Sequence, residues 1–135
     1  RAEMARAVLE GVALNLRLIL AAFRAQQAPI QALRAIGGGT RSPLWRQILA
    51  DVLNLPLLRP RLLAEATSLG AAMAGGVGAG LFSSYSAAAS LVSVEPGEEP
   101  HPERARRYDD LYALFSRTYE ALVPVYAGLA HVSDA

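Results

Sequence analysis

Gly37, Gly38 and Gly39 stand in a row and are followed by Thr40, Arg41, Ser42 and Pro43. Each glycine adds unfolded-chain entropy that folding must overcome, so three in succession need a reason. One reason is chemical. A glycine turn between the end of a strand and the start of a helix leaves main-chain N–H groups bare beside the positive end of the helix dipole, and a phosphate suits such a place. Ser42 is a good N-cap, and Pro43 suits a first helical position, whose N–H has no partner within the helix. Ser42 would then either donate to the ligand or simply cap. The other reason is geometric: a tight strand-to-helix turn with no ligand. Spacing alone leaves both open.

Other residues carry less chemistry. His101 and His131 are far apart in the sequence and read as surface residues rather than a metal or catalytic pair. Asp51, Asp109 and Asp110 fall in no catalytic motif, and Glu65 reads as an acid at a helix start. Gly75, Gly76, Gly78 and Gly80 miss the dinucleotide-binding spacing, because Leu81 stands where the last glycine belongs, and read as a frayed helix end. All thirteen basic residues are arginine, which excludes a phosphate-binding lysine of the Walker type, and the lack of cysteine excludes thiolate chemistry and disulfides.

The elements that must position the turn follow from periodicity. A helix is expected from Ala2 to Gln26, mostly buried, with Glu3, Glu10, Arg17 and Arg24 on one stripe and Val8, Val12, Leu16, Ile19 and Phe23 on another. Gln31 to Ile36 reads as a strand running into the glycines. The helix opened by Ser42 and Pro43 should bury Leu44, Trp45, Ile48, Leu49 and Val52, keep Arg46, Gln47 and Asp51 in solvent, and end at Asn54 and Pro56. Leu55 to Arg59 reads as a second strand. Ala64 to Gly80, made of small residues, reads as a closely packed helix. Ser83 to Ser90 reads as a short helix, Leu91 to Val94 as an extended piece, and Pro96 to Pro102 as a solvated loop. The apolar spacing of Tyr108, Leu111, Tyr112, Phe115, Tyr119, Leu122 and Val123 predicts a last helix that Pro124 kinks or ends, with a loose tail after His131. The order is α, β, glycine turn, α, β, α and a terminal α: an α/β fold, helix-rich, with parallel strands joined by right-handed crossovers.

A length of 135 residues accommodates one compact domain. The net charge of +1 is spread along the chain, which speaks against a nucleic-acid stripe or a basic membrane patch. Asn15 and Arg17 interrupt the most apolar stretch, so no membrane span is expected. The absence of cysteine fits a cytoplasmic protein. Hydrophobic residues make up 53% of the chain, more than is usual for a soluble domain, so some burial is expected against something outside it. The first residue is Arg1, which fits the interior of a longer protein.

The run IGGGTRSPLWRQILADVLNLPL followed by EATSLGAAMAGGVGAGLF resembles the carboxy-terminal domain of the FGGY carbohydrate kinases, most closely its xylulokinase-like members. The resemblance covers about Val8 to Leu122. It implies the later portion, residues 1–135, of the nucleotide-binding domain in an actin-like, ribonuclease-H-like ATPase fold, with the amino-terminal sugar-binding lobe absent. It also implies ATP and magnesium as cofactors and a pentulose-like sugar as substrate. By the same resemblance Gly37, Gly38 and Gly39 approach the adenosine and its first phosphates, and Ser42 and Pro43 lie near the base or ribose. The aspartate acting as general base belongs to the missing lobe, so the isolated chain should not turn over. A two-stranded sheet with a bare edge, and a first helix exposing Leu16, Ile19 and Phe23, imply a homo-oligomer or an ordered piece of a larger chain. The competing expectation is a non-catalytic α/β interaction module whose glycine turn is structural.

Overall fold

The computed structural model describes residues 1–61, 66–86 and 92–133. Helix α1 (Ala2–Ala25), strand β1 (Leu33–Arg34), a 3-10 turn (Gly38–Arg41) and helix α2 (Pro43–Leu53) come first. Strand β2 (Leu57–Pro60), helix α3 (Ala66–Gly78), strand β3 (Val94–Pro96) and helix α4 (Pro102–Ser133) follow. The two early strands are shorter than the apolar runs that announced them. Glu65 and the segment from 87 to 91 lie outside the described residues.

The sheet has three strands in the order β1-β2-β3. β1 and β2 run parallel, with Leu33 opposite Leu57, across the crossover made by α2. β2 and β3 run antiparallel, with Arg59 opposite Glu95, which corrects both the all-parallel expectation and the expected width of two strands. The third strand was hidden because Val94, Glu95 and Pro96 carry no alternating pattern; pairing with β2 makes them a strand. Beyond β3, Gly97 N–H donates to Leu57 O at 2.9 Å and Leu57 N–H donates to Glu98 O at 2.9 Å. Two residues thus face one, as in a bulge. A Cβ on Gly97 would stand 2.8 Å from Leu57 O, so this close approach needs glycine.

The core joins α1, α2, β2 and the start of α4 through Leu14, Leu20, Ile48, Val52, Leu57 and Tyr108. Helix α2 is its axis, contributing Ile48, Leu49, Val52 and Leu53. Asn54 closes α2 in the left-handed conformation, at φ 50°.

Helix α1 is largely exposed, which corrects the mostly buried expectation and agrees with the expected exposure of Leu16, Ile19 and Phe23. Val8, Val12, Leu16, Ile19 and Phe23 are exposed, while Ala13, Leu14 and Leu20 are buried. Two members of its charged stripe bond to α4: Tyr108 Oη donates to Glu10 Oε1 at 2.6 Å, and Arg17 pairs with Asp109 and stacks 4.6 Å from the Tyr112 ring centroid. Arg17 Nη1 also donates to Val52 O at 3.0 Å, supplying one of the carbonyls that the end of α2 leaves without a partner. Burial, followed by the hydrogen bond to the Glu10 carboxylate, holds the Tyr108 hydroxyl protonated above its usual range. The interhelical seam is therefore polar, and the apolar stripe is left outside. Leu16, Ile19 and Phe23 line an open apolar groove of about 510 Å³ that extends to Ile30 and Leu33 beside the bare edge of β1.

Helix α3 is mostly exposed and is no packing helix within the described residues. Its end is not frayed, because Gly80 N–H donates to Val77 O and Leu81 N–H to Gly76 O, the two bonds of a Schellman cap. Helix α4 runs through Pro124 to Ser133 instead of ending there. Tyr108, Tyr112 and Phe115 pack on the core, whereas Tyr119 and Leu122, which continue the same spacing, are exposed because the helix has passed the end of the body.

Candidate functional site at the glycine turn

The five residues expected to form the site come together. β1 delivers the chain through Ala35 and Ile36 into Gly37, whose φ of 96° and ψ of 164° lie outside what a side chain tolerates. Gly38, Gly39, Thr40 and Arg41 make one 3-10 turn, and Ser42 and Pro43 open α2. Thr40 is buried and binds Gly37 O twice, through its N–H at 3.1 Å and its hydroxyl at 2.6 Å. Ser42 N–H donates to Gly39 O at 3.2 Å. The turn thus lies beyond the carboxyl end of a parallel strand and at the amino end of a helix, the general location of ligand crevices in α/β sheets.

Ser42 does cap α2: Trp45 N–H donates to its hydroxyl at 3.4 Å, a long bond in an exposed place. Pro43 occupies the first helical position as expected. Trp45 is half-buried against the core, and its ring edge also flanks Gly39, 3.5 Å from where a Cβ would sit. That is ordinary contact. A Cβ on Gly38 would meet nothing within 4 Å. Positive φ therefore explains Gly37, but neither backbone conformation nor a described neighbour demands glycine at 38 or 39.

Arg46 and Asp51, expected in solvent, are both buried. Helical side chains lean toward the helix amino end, so Arg46, one turn inside α2, reaches back to the glycine turn. Its Nη1 donates to Thr40 O at 2.6 Å, its Nε donates to both carboxylate oxygens of Glu98 at 2.8 Å, and Nη2 lies 2.7 Å from Glu98 Oε1. The guanidinium holds the Glu98 carboxyl below the usual carboxylate range, and Glu98 in turn raises Arg46. The spacing of Arg46 from Ser42 was the available signal; Glu98, in a loop read as solvated, offered none. A cavity of about 260 Å³ lies beside the turn, lined by Thr40, Arg46, Arg59 and Arg61 among others.

Asp51 accepts from His101 N–H at 2.8 Å and from Gln47 Nε2 at 2.9 Å, and so holds the start of α4. This carboxylate is structural, and His101 is exposed as expected, with its ring Nδ1 3.2 Å from Asp51 Oδ1. Asp109 is taken by Arg17 and Asp110 is exposed. His101 and His131 lie at opposite ends of α4. Among the described residues no three His, Asp or Glu side chains group as a metal site, and no helix is long and apolar enough to cross a membrane.

The chain is thus an α/β unit with a mixed sheet and a glycine turn where a parallel strand passes into a helix. The chain belongs to the FGGY family of carbohydrate kinases: the model of that family's C-terminal domain matches residues 1–79. It is 50% identical over 84 residues to a glycerol kinase of Myxococcus xanthus, which covers 62% of this chain and 17% of that protein. It is 45% identical over 85 residues to the autoinducer-2 kinase of Escherichia coli, covering 62% of this chain and 16% of the relative. Among solved structures, a xylulose kinase from Rhodospirillum rubrum superposes with a TM-score of 0.71 at 36% identity, over 90% of this chain and 25% of that one. A gluconate kinase from Lactobacillus acidophilus superposes with a TM-score of 0.78 at 28% identity, over 94% of this chain and 26% of that one. The chain therefore spans about a sixth to a quarter of the length of these relatives.

Proposed function

We propose that this chain, residues 1–135, is the later part of the nucleotide-binding domain of an ATP-dependent carbohydrate kinase with an actin-like, ribonuclease-H-like architecture. The observation that carries the reading is the bare turn: Gly38 and Gly39 are glycines that the chain's own φ values and neighbours do not require. A ligand lying against the main chain would require them. Gly37, Gly38 and Gly39 seat the adenosine and its first phosphates at the positive end of the α2 dipole, where Pro43 has no N–H to offer and Ser42 already takes that of Trp45. Ser42 and Pro43 border the base or ribose.

In such a reaction the protein's work is positioning and charge stabilisation. This chain holds one side of the nucleotide, and a sugar-binding lobe supplies the general base and most sugar contacts. Family membership implies ATP with magnesium. The bare turn supports the nucleotide reading, and the described residues provide no acidic cluster for the cation, which would travel with the phosphates. The xylulose kinases among the solved relatives support a pentulose-like sugar as the acceptor. A cytoplasmic homo-oligomer is the accompanying reading, its association supported by the apolar groove.

Calorimetry with ATP and ADP on the complete kinase carrying this domain tests the reading. Gly38→Val places its side chain in open space, so it should leave melting unchanged and weaken nucleotide binding; Gly39→Val should do the same with a small packing cost against Trp45. Unchanged affinity in folded Gly38→Val would leave the turn a structural one.

A further inference from the structure

We propose that Arg46 is a positioning residue that, braced by Glu98, holds the glycine turn in its nucleotide-ready shape without touching the nucleotide. The inference rests on the nucleotide reading of the turn. Three successive glycines are the most mobile backbone a chain can offer, and a seat built from them binds well only if something else fixes it. The bonds within the turn, from Thr40 to Gly37 and from Ser42 to Gly39, are local and move with it. Arg46 supplies a tie to the body of the fold. Its Nη1 donates to Thr40 O, and its Nε and Nη2 are held by the Glu98 carboxylate.

Glu98 is itself fixed from behind. Its carbonyl accepts from Leu57 N–H across the bulge that Gly97 makes possible. The order of support is therefore β2, the bulge beyond β3, Glu98, Arg46 and the turn. Arg46 is 8% exposed, so this connection is sheltered from competing water. A planar guanidinium serves the carbonyl and both carboxylate oxygens at once, whereas an ammonium on a flexible stem cannot hold that fork. Helix α2 remains anchored by Ile48 and Val52, both essentially buried, so loosening the turn need not unfold the helix that follows it.

The test uses the complete kinase and two variants, Arg46→Lys and Glu98→Gln, with circular dichroism to establish folding. ADP affinity is measured by calorimetry, and KM is measured separately for ATP and for the sugar. Arg46→Lys should raise the dissociation constant for ADP and the KM for ATP about tenfold, the scale of losing one charge-assisted hydrogen bond that holds the seat. The sugar KM should not follow. Glu98→Gln, which leaves the Arg46 bond to Thr40 in place, should show a smaller loss in the same direction. Folded variants with unaltered ADP affinity would overturn the positioning role, as would parallel losses for nucleotide and sugar. If Arg46→Lys does not fold, Glu98→Gln decides by the same criteria. Failure of the unmutated kinase to bind ADP would remove the nucleotide reading, and this inference with it.

Discussion

Replacing Asp51 tests whether a carboxylate in the last turn of α2 holds the start of α4. Its side chain is 2% exposed and accepts from His101 N–H at 2.8 Å and from Gln47 Nε2 at 2.9 Å, with Arg104 Nη1 3.5 Å away. Asp51→Ala leaves the His101 N–H without its acceptor. A hydrogen bond to a charged group contributes roughly 1.5–3 kcal/mol, and a negative charge at a helix amino end about 0.3–1 kcal/mol. Together these predict a loss of about 2–4 kcal/mol. Asp51→Asn keeps an oxygen for His101 and loses mainly the charge, so it should cost about 1 kcal/mol. Urea unfolding followed by circular dichroism on the complete kinase, with wild type and both variants at one pH, reads the difference. Turnover per folded molecule should stay near wild type, since Asp51 lies away from the glycine turn. An Asp51→Ala loss within the scatter of ordinary surface changes would refute the capping argument. So would an Asn variant as damaged as the Ala one, because the cost would then not follow from an acceptor.

The Arg46 hydrogen bonds depress Glu98 against an opposing desolvation, with a smaller help from Arg59. A depressed carboxylate stabilises the fold above its ordinary pKa, and that contribution is lost as pH falls through the lowered value. Glu98→Gln should therefore be less stable at neutral pH and lose less on acidification; parallel acid limbs in pH-dependent unfolding would contradict this. The apolar groove gives a further expectation. The isolated chain should self-associate, and Leu16→Glu combined with Ile19→Glu should shift light scattering toward the monomer, since both side chains are 40% or more exposed. A monomeric, cooperatively melting wild-type chain would mean that this face tolerates water.

The glycine turn and the helix after it were legible in the sequence because their determinants are local. Three glycines, a capping serine and a proline at the first helical position specify backbone conformation over a few residues, and α2 starts and ends where those signals stand. The α1 boundaries, the two parallel strands and the family resemblance were readable for the same reason. What tertiary structure decided was which way each element faces. Helical spacing defines two stripes on α1 but does not say which one meets α4; polar partners from Tyr108, Asp109 and the end of α2 draw Glu10 and Arg17 of the charged stripe toward it. Burial of Arg46 and Asp51 likewise depends on Glu98 and His101, about fifty positions away in the chain. β3 exists through its pairing with β2, not through its own pattern. A local signal can set a conformation, but only a distant partner can make a buried charge affordable, and no spacing in the sequence records where that partner will be.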